Sequence, residues 1–582
     1  MNIQTMLASV TCKTGDGYRD IARFVLRLKE LTGLTTVIAS GGTAKYLRDN
    51  GIAVTDTSEV IGKFVRESIR RSESDGFTLP AAFEERLRRL EERLGKAFLN
   101  HRVATLSEEI HAAMLSDDTD EQDRELLLRF IERIDLTCVD FYELEKEIER
   151  EGSTRESRAK ETDIGGPTMI RSTAKGSAAK RGRLVIATPE DRNRVIEWFE
   201  QGQKDETAFI DYMAAKGEAT VGRYCIASAR ARGGDTFDGV IGEKAATGKA
   251  ENAHQGEYAL YAVGSKDPLA HSKFKQIFGI PMGYVNRTDL ARLLRTMRLA
   301  AAAYDVNTGS VPCLGFIVKH GNASNAAYAD DLHEMLRKLI DCDLEASFGG
   351  VVMVNHEIDL AAAEILLRYR IAEGEPRHKL DGIIAPSFTA EAIVRLQNKA
   401  GTCRLIVNPA LATLNRNTID RTPVRRQLSG EDYLKQESNR FVPRIASDNT
   451  DLEMHGTMDW TKLRDLILAF AICATSNSNT VTLVKNGMLI GNGVAQTKRS
   501  RAAWLAIEIA RQNGHDPEGA VVWSDSFFPF PDGPEFLLAA KVAVIFATFV
   551  PKKRQMVIDT CSGLATLLLM SDEKAREFDS HG

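Results

Sequence analysis

An α/β fold in more than one domain is what this sequence predicts, on three observations. The first 60 residues alternate strand-like apolar runs with amphipathic helices. A second, longer series of the same kind fills the C-terminal half. And 582 residues are too many for one hydrophobic core. Taken in order, MLASVTC (6–12) reads as a strand and YRDIARFVLRLKELTG (18–33) as an amphipathic helix. TTVIAS (35–40) is a second strand, and GGTAKYLRDNG (41–51) a glycine-rich turn feeding a helix. Strand-turn-helix repeats of this kind favour a parallel sheet with its loops at the carboxyl edge.

Residues 62–100 break the rhythm. FEERLRRLEERLGKAF (83–98) is densely charged, with Leu and Phe at helical spacing and Glu/Arg at i,i+4. It predicts an exposed helical insertion, with a lid or partner-docking element as the functional alternative. LVIAT (184–188) restores a strand, and a helical stretch follows over about 190–232. RARGGDTFDG (230–239) reads as the connection to a second unit. There the strands are CLGFIVKH (313–320), GGVVMVN (349–355), DGIIAPS (381–387), CRLIVN (403–408), TVTLVKNG (480–487) and VAVIFAT (542–548), with helices between them. That is enough for a larger α/β unit of two subdomains, in which no internal repeat is visible. The predicted domains are 1–232 and 233–582.

Composition excludes several classes. A net charge of -5 and short basic runs, such as Arg70-Arg71 and Lys552-Lys553-Arg554, give no sign of a nucleic-acid partner. None of the eight cysteines falls in a CxxC pair, so neither a zinc site nor a disulfide framework is expected. The start MNIQTMLASV lacks the pattern of a signal peptide. No apolar run is long enough to span a membrane. The expected setting is a reducing cytoplasm, with no membrane and no nucleic acid.

Ser9-Val10-Thr11-Cys12-Lys13-Thr14-Gly15 and Ser40-Gly41-Gly42-Thr43 each end a predicted strand. Hydroxyls, free backbone N–H groups and a lysine at a helix N-terminus suit a phosphate; an ordinary turn is the alternative. Lys319-His320 closes an apolar strand, where a cation can tune an imidazole for proton transfer; a surface lysine with a capped histidine is the plainer reading. SDSFFPFPDG (524–533) sets aromatic residues between acids without periodicity, which suits a rigid loop with an aromatic platform.

These pieces, in this order, resemble the bifunctional AICAR transformylase/IMP cyclohydrolase family over nearly the whole chain. SDSFFPFPDG and Asp163-Ile164-Gly165-Gly166-Pro167-Thr168-Met169 with Lys175 are the most specific matches. The resemblance implies an N-terminal methylglyoxal-synthase-like domain and a C-terminal transformylase of two cytidine-deaminase-like subdomains. It also implies a homodimer, nucleotide and folate substrates, 10-formyltetrahydrofolate as co-substrate, and no catalytic metal. For the transformylase it implies catalytic Lys319, His320 and Asn479. Phe527, Asp532 and the Asn486 of Lys485-Asn486-Gly487 would hold the folate. Ser347, Phe348, Gly349, Arg499 and Arg576 would contact substrate. For the cyclohydrolase it implies catalytic Tyr142, Asp163 and Lys175, and substrate contacts from Ser9, Lys13, Thr14, Ser40, Gly42, Thr43, Arg102 and Thr105.

The sequence departs from the family at several places, among them a missing Pro after Lys319-His320, where Gly321 follows, and Glu143 for Pro after Tyr142; three more bear on ligands and chemistry. The arginine that holds the transformylase substrate's phosphate is replaced by Gly248, with Lys249 the substitute the sequence offers; lysine lacks arginine's bidentate fork. Ala104 stands where the cyclohydrolase has an active-site lysine, just after the insertion. Phe549-Val550-Pro551-Lys552-Lys553 replaces a loop of small residues near the folate. The leading expectation is therefore formyl transfer to the amine of AICAR, with ring closure to IMP weakened or differently organised. A paralogue acting on another amino-nucleotide and a catalytically silent nucleotide-binding dimer are the alternatives.

Overall fold

The computed structural model describes residues 1–57, 59–60, 81, 85, 89, 104–117, 120–121, 123, 133–179, 182–233, 239–248, 254–345, 349–430 and 432–576. The insertion predicted over 62–100 lies almost wholly outside them. The chain divides into two compact units, Met1–Ile241 and Gly242–Gly582.

The first unit is built on a five-stranded sheet of β1 (Thr5–Ser9), β2 (Thr36–Ala39), β3 (Thr55–Asp56), β4 (Leu136–Val139) and β5 (Leu184–Ile186). All its pairings are parallel, in the order β3-β2-β1-β4-β5. The first helix, α1 (Ile21–Leu31), shows why the local sequence folds as it does. Asp20 accepts from the N–H groups of Ala22 and Arg23 as an N-cap, and Ile21, Phe24, Val25 and Leu28 form one buried stripe. With α2 (Gly41–Asp49) and a helix at Pro189–Glu200 it covers one face of the sheet. Helices Glu108–Leu115 and Gly165–Gly176 cover the other, joined by the later part of Glu206–Gly233, whose first turns pack Ile210 and Met213 into the first core. The last of these runs on through the first four residues of RARGGDTFDG (230–239), so the expected connection begins as helix.

The second unit centres on a twelve-stranded sheet, ordered β16 (Leu452–His455), β21 (Thr566–Ser571), β20 (Val544–Phe549), β19 (Val521–Ser524), β17 (Val481–Lys485), β18 (Met488–Gly493), β10 (Asn322–Ala329), β9 (Cys313–Lys319), β11 (Val351–Val354), β12 (Gly382–Ala385), β13 (Arg404–Val407) and β8 (Lys275–Phe278); β6 (Glu243–Gly248) with β7 (Tyr258–Ala262), and β14 (Val424–Gln427) with β15 (Tyr433–Gln436), form separate hairpins. The inner strands of the large sheet are β9, β10, β17 and β18. This order contains the repeat that the sequence conceals. In each half a long helix precedes an antiparallel hairpin, β9-β10 or β17-β18. The first hairpin strand then pairs antiparallel with a third strand, which is followed by two parallel ones. The halves meet where β10 pairs antiparallel with β18, Ala327 opposite Met488. The two long helices, Tyr284–Thr308 and Trp460–Cys473, share one core on one face of the sheet. Each half has its own core on the opposite face.

Candidate functional site

In the first unit the carboxyl ends of β2, β1 and β4 lie side by side, and the expected cyclohydrolase residues gather there. Ser40 is the N-cap of α2, yet its hydroxyl makes no capping bond; it lies 2.9 Å from Ser9 Oγ. The first N–H groups of α2 are thus left uncapped by Ser40, an end that suits an anion. Thr43 Oγ1 accepts from Val10 N at 3.0 Å and donates to Val10 O at 3.2 Å, fastening that loop to the helix. Lys13 Cε stands 4.0 Å from where a Cβ on Gly42 would be. Thr14 is exposed in the same loop.

The loop after β4 joins through Thr11 Oγ1, which donates to Phe141 O at 3.1 Å. Next to it is Tyr142, 49% exposed. Gly166 N donates to Asp163 Oδ1 at 2.9 Å. Burial raises the Asp163 carboxyl above the usual carboxylate range, although N–H groups of Gly166, Tyr142 and Gly165 oppose it. The Tyr142 hydroxyl is also raised, by burial and then by Asp163. Gly165 and Gly166 are required by close approach: a Cβ on Gly165 would meet Thr105 Oγ1 at 2.2 Å, and one on Gly166 would meet Asp163 Oδ2 at 2.6 Å. Lys175 is not brought to this cluster. It lies exposed in the last turn of the helix that Gly165 begins, about 15 Å further along the axis. Arg102 lies outside the described residues. The sequence reading missed Asp140, buried just before Phe141. It pairs with the buried Arg192, which also donates to Cys12 O at 3.0 Å and so fixes the loop after β1 from behind.

In the second unit Lys319 and His320 occupy a hairpin tip. Lys319 pairs with Asn322, leaving His320 and Gly321 as a two-residue loop with φ of 54° and 79°. Both positive values mark a type I′ turn, which asparagine and glycine enter more easily than histidine. The tip is held by the buried Asp289, whose Oδ1 accepts from Gly321 N at 3.0 Å. His320 is exposed. A Cβ on Gly349 would lie 3.7 Å from Lys319 Nζ and 4.0 Å from Asp381 Oδ2, so one residue of the expected substrate loop does reach the tip. Ser347, Phe348 and Lys249 lie outside the described residues.

Asn322, which closes this tip opposite Lys319, accepts from Asn477 N at 3.2 Å and so brings in the loop that carries Asn479. Asn479 is tightly set: Nδ2 donates to Gln496 O at 2.7 Å, and Oδ1 accepts from Arg499 at 2.6 Å. One side-chain N–H remains for an incoming oxygen. Arg499 was expected at the substrate, but its guanidinium is buried among protein groups. It lies 2.8 Å from Asp525 Oδ1 and donates to Phe527 O at 2.9 Å. Arg499 thus positions Asn479 and Phe527 together. Asp525, missed in the sequence, also accepts from Thr480 N at 2.9 Å and from the Ser478 hydroxyl.

The rings of the aromatic loop have separate duties. Phe528 is in the core, and a Cβ on Gly533 would touch its ring at 2.4 Å. Phe527 is half-buried. Phe530 is 62% exposed, with Lys553 Nζ 5.1 Å from its ring centre. Asp532 is exposed and opens the helix Asp532–Ala539. Arg576 reaches the loop through the buried Asp572, which binds it at 2.8 Å and accepts from Ser526 Oγ at 2.7 Å.

Asn486 is not brought to this cluster. It sits on the second hairpin tip, between Lys485 and Gly487. That tip lies beside the far end of β10, where Tyr328 N donates to Gly487 O at 3.0 Å. Because β10 and β18 run antiparallel, the two tips project from opposite ends of their pair, about 20 Å apart.

The sequence profile of the family described as AICARFT/IMPCHase bienzyme matches residues 179–509, more than half the chain. The chain belongs to that family. The profile of the MGS-like domain matches residues 20–168, within the first unit. Among curated relatives, the bifunctional purine biosynthesis protein PurH of Cutibacterium acnes is 29% identical over 540 residues, 90% of each chain. That of Rhodopirellula baltica is 28% identical over 538 residues, 90% of this chain and 91% of its own. That of Acetivibrio thermocellus is 27% identical over 570 residues, 96% of this chain and 97% of its own. The protein is a divergent family member with an MGS-like N-terminal domain and a transformylase-type C-terminal domain. Among the described residues no helix is long and apolar enough to cross a membrane.

Proposed function

We propose that the protein transfers the formyl group of 10-formyltetrahydrofolate to the amine of AICAR. The observation that carries this reading is the meeting of the Lys319-His320 tip with the Asn479 loop, joined by Asn322 and Asn477. The substrate amine is a weak nucleophile because its lone pair is conjugated with the ring and the carboxamide. As its nitrogen attacks the formyl carbon, His320 takes its proton. The oxyanion that forms is met by the remaining Asn479 N–H and the Lys319 ammonium. Collapse breaks the bond to N10 of the folate, which leaves with a proton as tetrahydrofolate. Phe527 and Asp532 support the folate, and Arg499 and Arg576 keep that wall in place.

Ring closure to IMP belongs to the first unit, where Tyr142 and Asp163 flank the phosphate cradle of Ser9, Lys13, Ser40 and Thr43. Ala104 offers no ammonium to the developing charge, so this step runs slowly compared with formyl transfer. A homodimer in the cytoplasm completes the reading. Incubating the purified protein with AICAR and 10-formyltetrahydrofolate tests both steps. Tetrahydrofolate is released and the formylated nucleotide accumulates ahead of IMP. Equal rates of tetrahydrofolate and IMP release would remove the claim about ring closure. Release of neither would move the reading to a different amino-nucleotide, an alternative favoured by Gly248.

A further inference from the structure

Gly248 ends the strand Glu243–Gly248 and pairs with Tyr258 across the hairpin to Tyr258–Ala262. A Cβ built on Gly248 would lie 2.3 Å from the Tyr258 ring. The place is therefore filled: no side chain can leave the backbone at 248 while this tyrosine stays. The tyrosine brings another cation with it. Its hydroxyl donates to Met282 O and accepts from Arg287 Nε at 2.8 Å, while the Arg287 guanidinium lies 5.8 Å from its ring centre. Arg287 Nη1 lies 3.2 Å from His271 Nε2. Burial, aided by Arg287, pushes His271 down to about 4, so near neutral pH the ring nitrogen accepts and adds no charge.

Arg287 is thus half-buried and oriented on two sides by neutral groups. Among the described residues no carboxylate pairs with it, and its Nη2 has no partner. Such a group lacks only the anion that would compensate its desolvation. Its helix also leads to the site. Arg287 is in the second turn of the helix Tyr284–Thr308, two residues before Asp289, which holds the Lys319-His320 tip.

We propose that Arg287, oriented by Tyr258, binds the phosphate of the nucleotide substrate in the transformylase site, in the role left vacant at Gly248. The anion is a phosphate monoester, and the fork of Arg287 supplies the bidentate contact that Lys249 cannot. The inference rests on the proposed formyl transfer, for which wild-type turnover of AICAR is the control; without that turnover both readings fall.

The test is the initial rate of formyl transfer by the full chain for wild type, Arg287→Met and Arg287→Lys. AICAR, its riboside without phosphate, and the folate are varied in turn. In Arg287→Met the KM for AICAR rises about 10- to 100-fold with kcat changed only a few-fold, as for loss of a charge-assisted contact. The KM for the folate and the rate on the riboside stay as in wild type. Arg287→Lys recovers part of the loss. An unchanged KM for AICAR, or equal losses on AICAR and the riboside, overturns the proposal. A rise confined to the folate KM also overturns it, because the guanidinium would then serve the carboxylates of the folate tail. Should Arg287→Met fail to melt cooperatively, Arg287→Lys alone decides, by whether its defect is confined to the phosphorylated substrate.

Discussion

The two hairpin tips of the second unit share one frame and differ in what they do with it. In each, a lysine ends the first strand, two residues turn with positive φ, and a buried aspartate from the preceding long helix receives backbone N–H groups of the turn. At the second tip the turn is Asn486-Gly487, the residue pair best suited to it. Its aspartate, Asp465, is fully engaged by both N–H groups and by the Tyr328 hydroxyl at 2.9 Å. At the first tip histidine replaces asparagine, the aspartate holds one N–H, and the imidazole is left exposed. The second tip is built for stability, and the first gives some of that up to expose the imidazole proposed as the base.

The sharpest way to break this comparison is to remove each turn residue. His320→Ala lowers the rate of formyl transfer by about 10²- to 10⁴-fold, as for loss of a general base, while Asn486→Ala changes it less than about twofold. Equal losses in initial-rate assays would make the tips equivalent. Next comes the frame that sets Asn479. Arg499→Met frees its side chain and lowers kcat by about 10²-fold, comparable with loss of one oxyanion donor. A change in KM alone would show Arg499 acting on the substrate directly.

How much of this could be read in advance follows the chemistry of each segment. Strands such as Val351–Val354 and Arg404–Val407 are visible because the sheet buries continuous apolar runs. β10, Asn322–Ala329, is not, since Asn, Ala and Ser carry no strand-like signal and their burial depends on neighbours supplied from elsewhere. The duplication was hidden for a similar reason: the halves share turn geometry and a buried aspartate rather than sequence. Lys319-His320 was legible as a strand-end pair with a plainer alternative, and Asn479 only through family resemblance. Asp289, Asp525 and Arg287 were not legible at all, because their roles are defined by partners distant in sequence.

Two smaller effects sharpen the comparison further. Asp465→Ala strips three donors, two of them buried, of their acceptor and costs about 3 kcal/mol in urea unfolding. Asp289→Ala costs about 1 kcal/mol yet lowers kcat more; the reverse order in stability would contradict the division of labour. The smallest effect is in pH. Burial raises the Asp465 carboxyl above the usual range, so the folded chain holds that proton more tightly than the unfolded chain. The resulting stabilisation is complete below the unfolded value, about 4, and fades as pH rises through the folded value. Asp465→Asn removes this slope, seen as a flatter difference in urea midpoints between pH 4 and 6.

The pairing of Ala327 with Met488 has a consequence for how the chain matures. The His320 tip comes from one half, and the loop that completes it, Asn477 to Asn479, comes from the other. Strands so distant along the chain close late, after each half has gathered its local contacts. A nascent polypeptide that has finished only the first half therefore carries the His320 imidazole without the Asn479 loop, and the two meet when the seam zips shut.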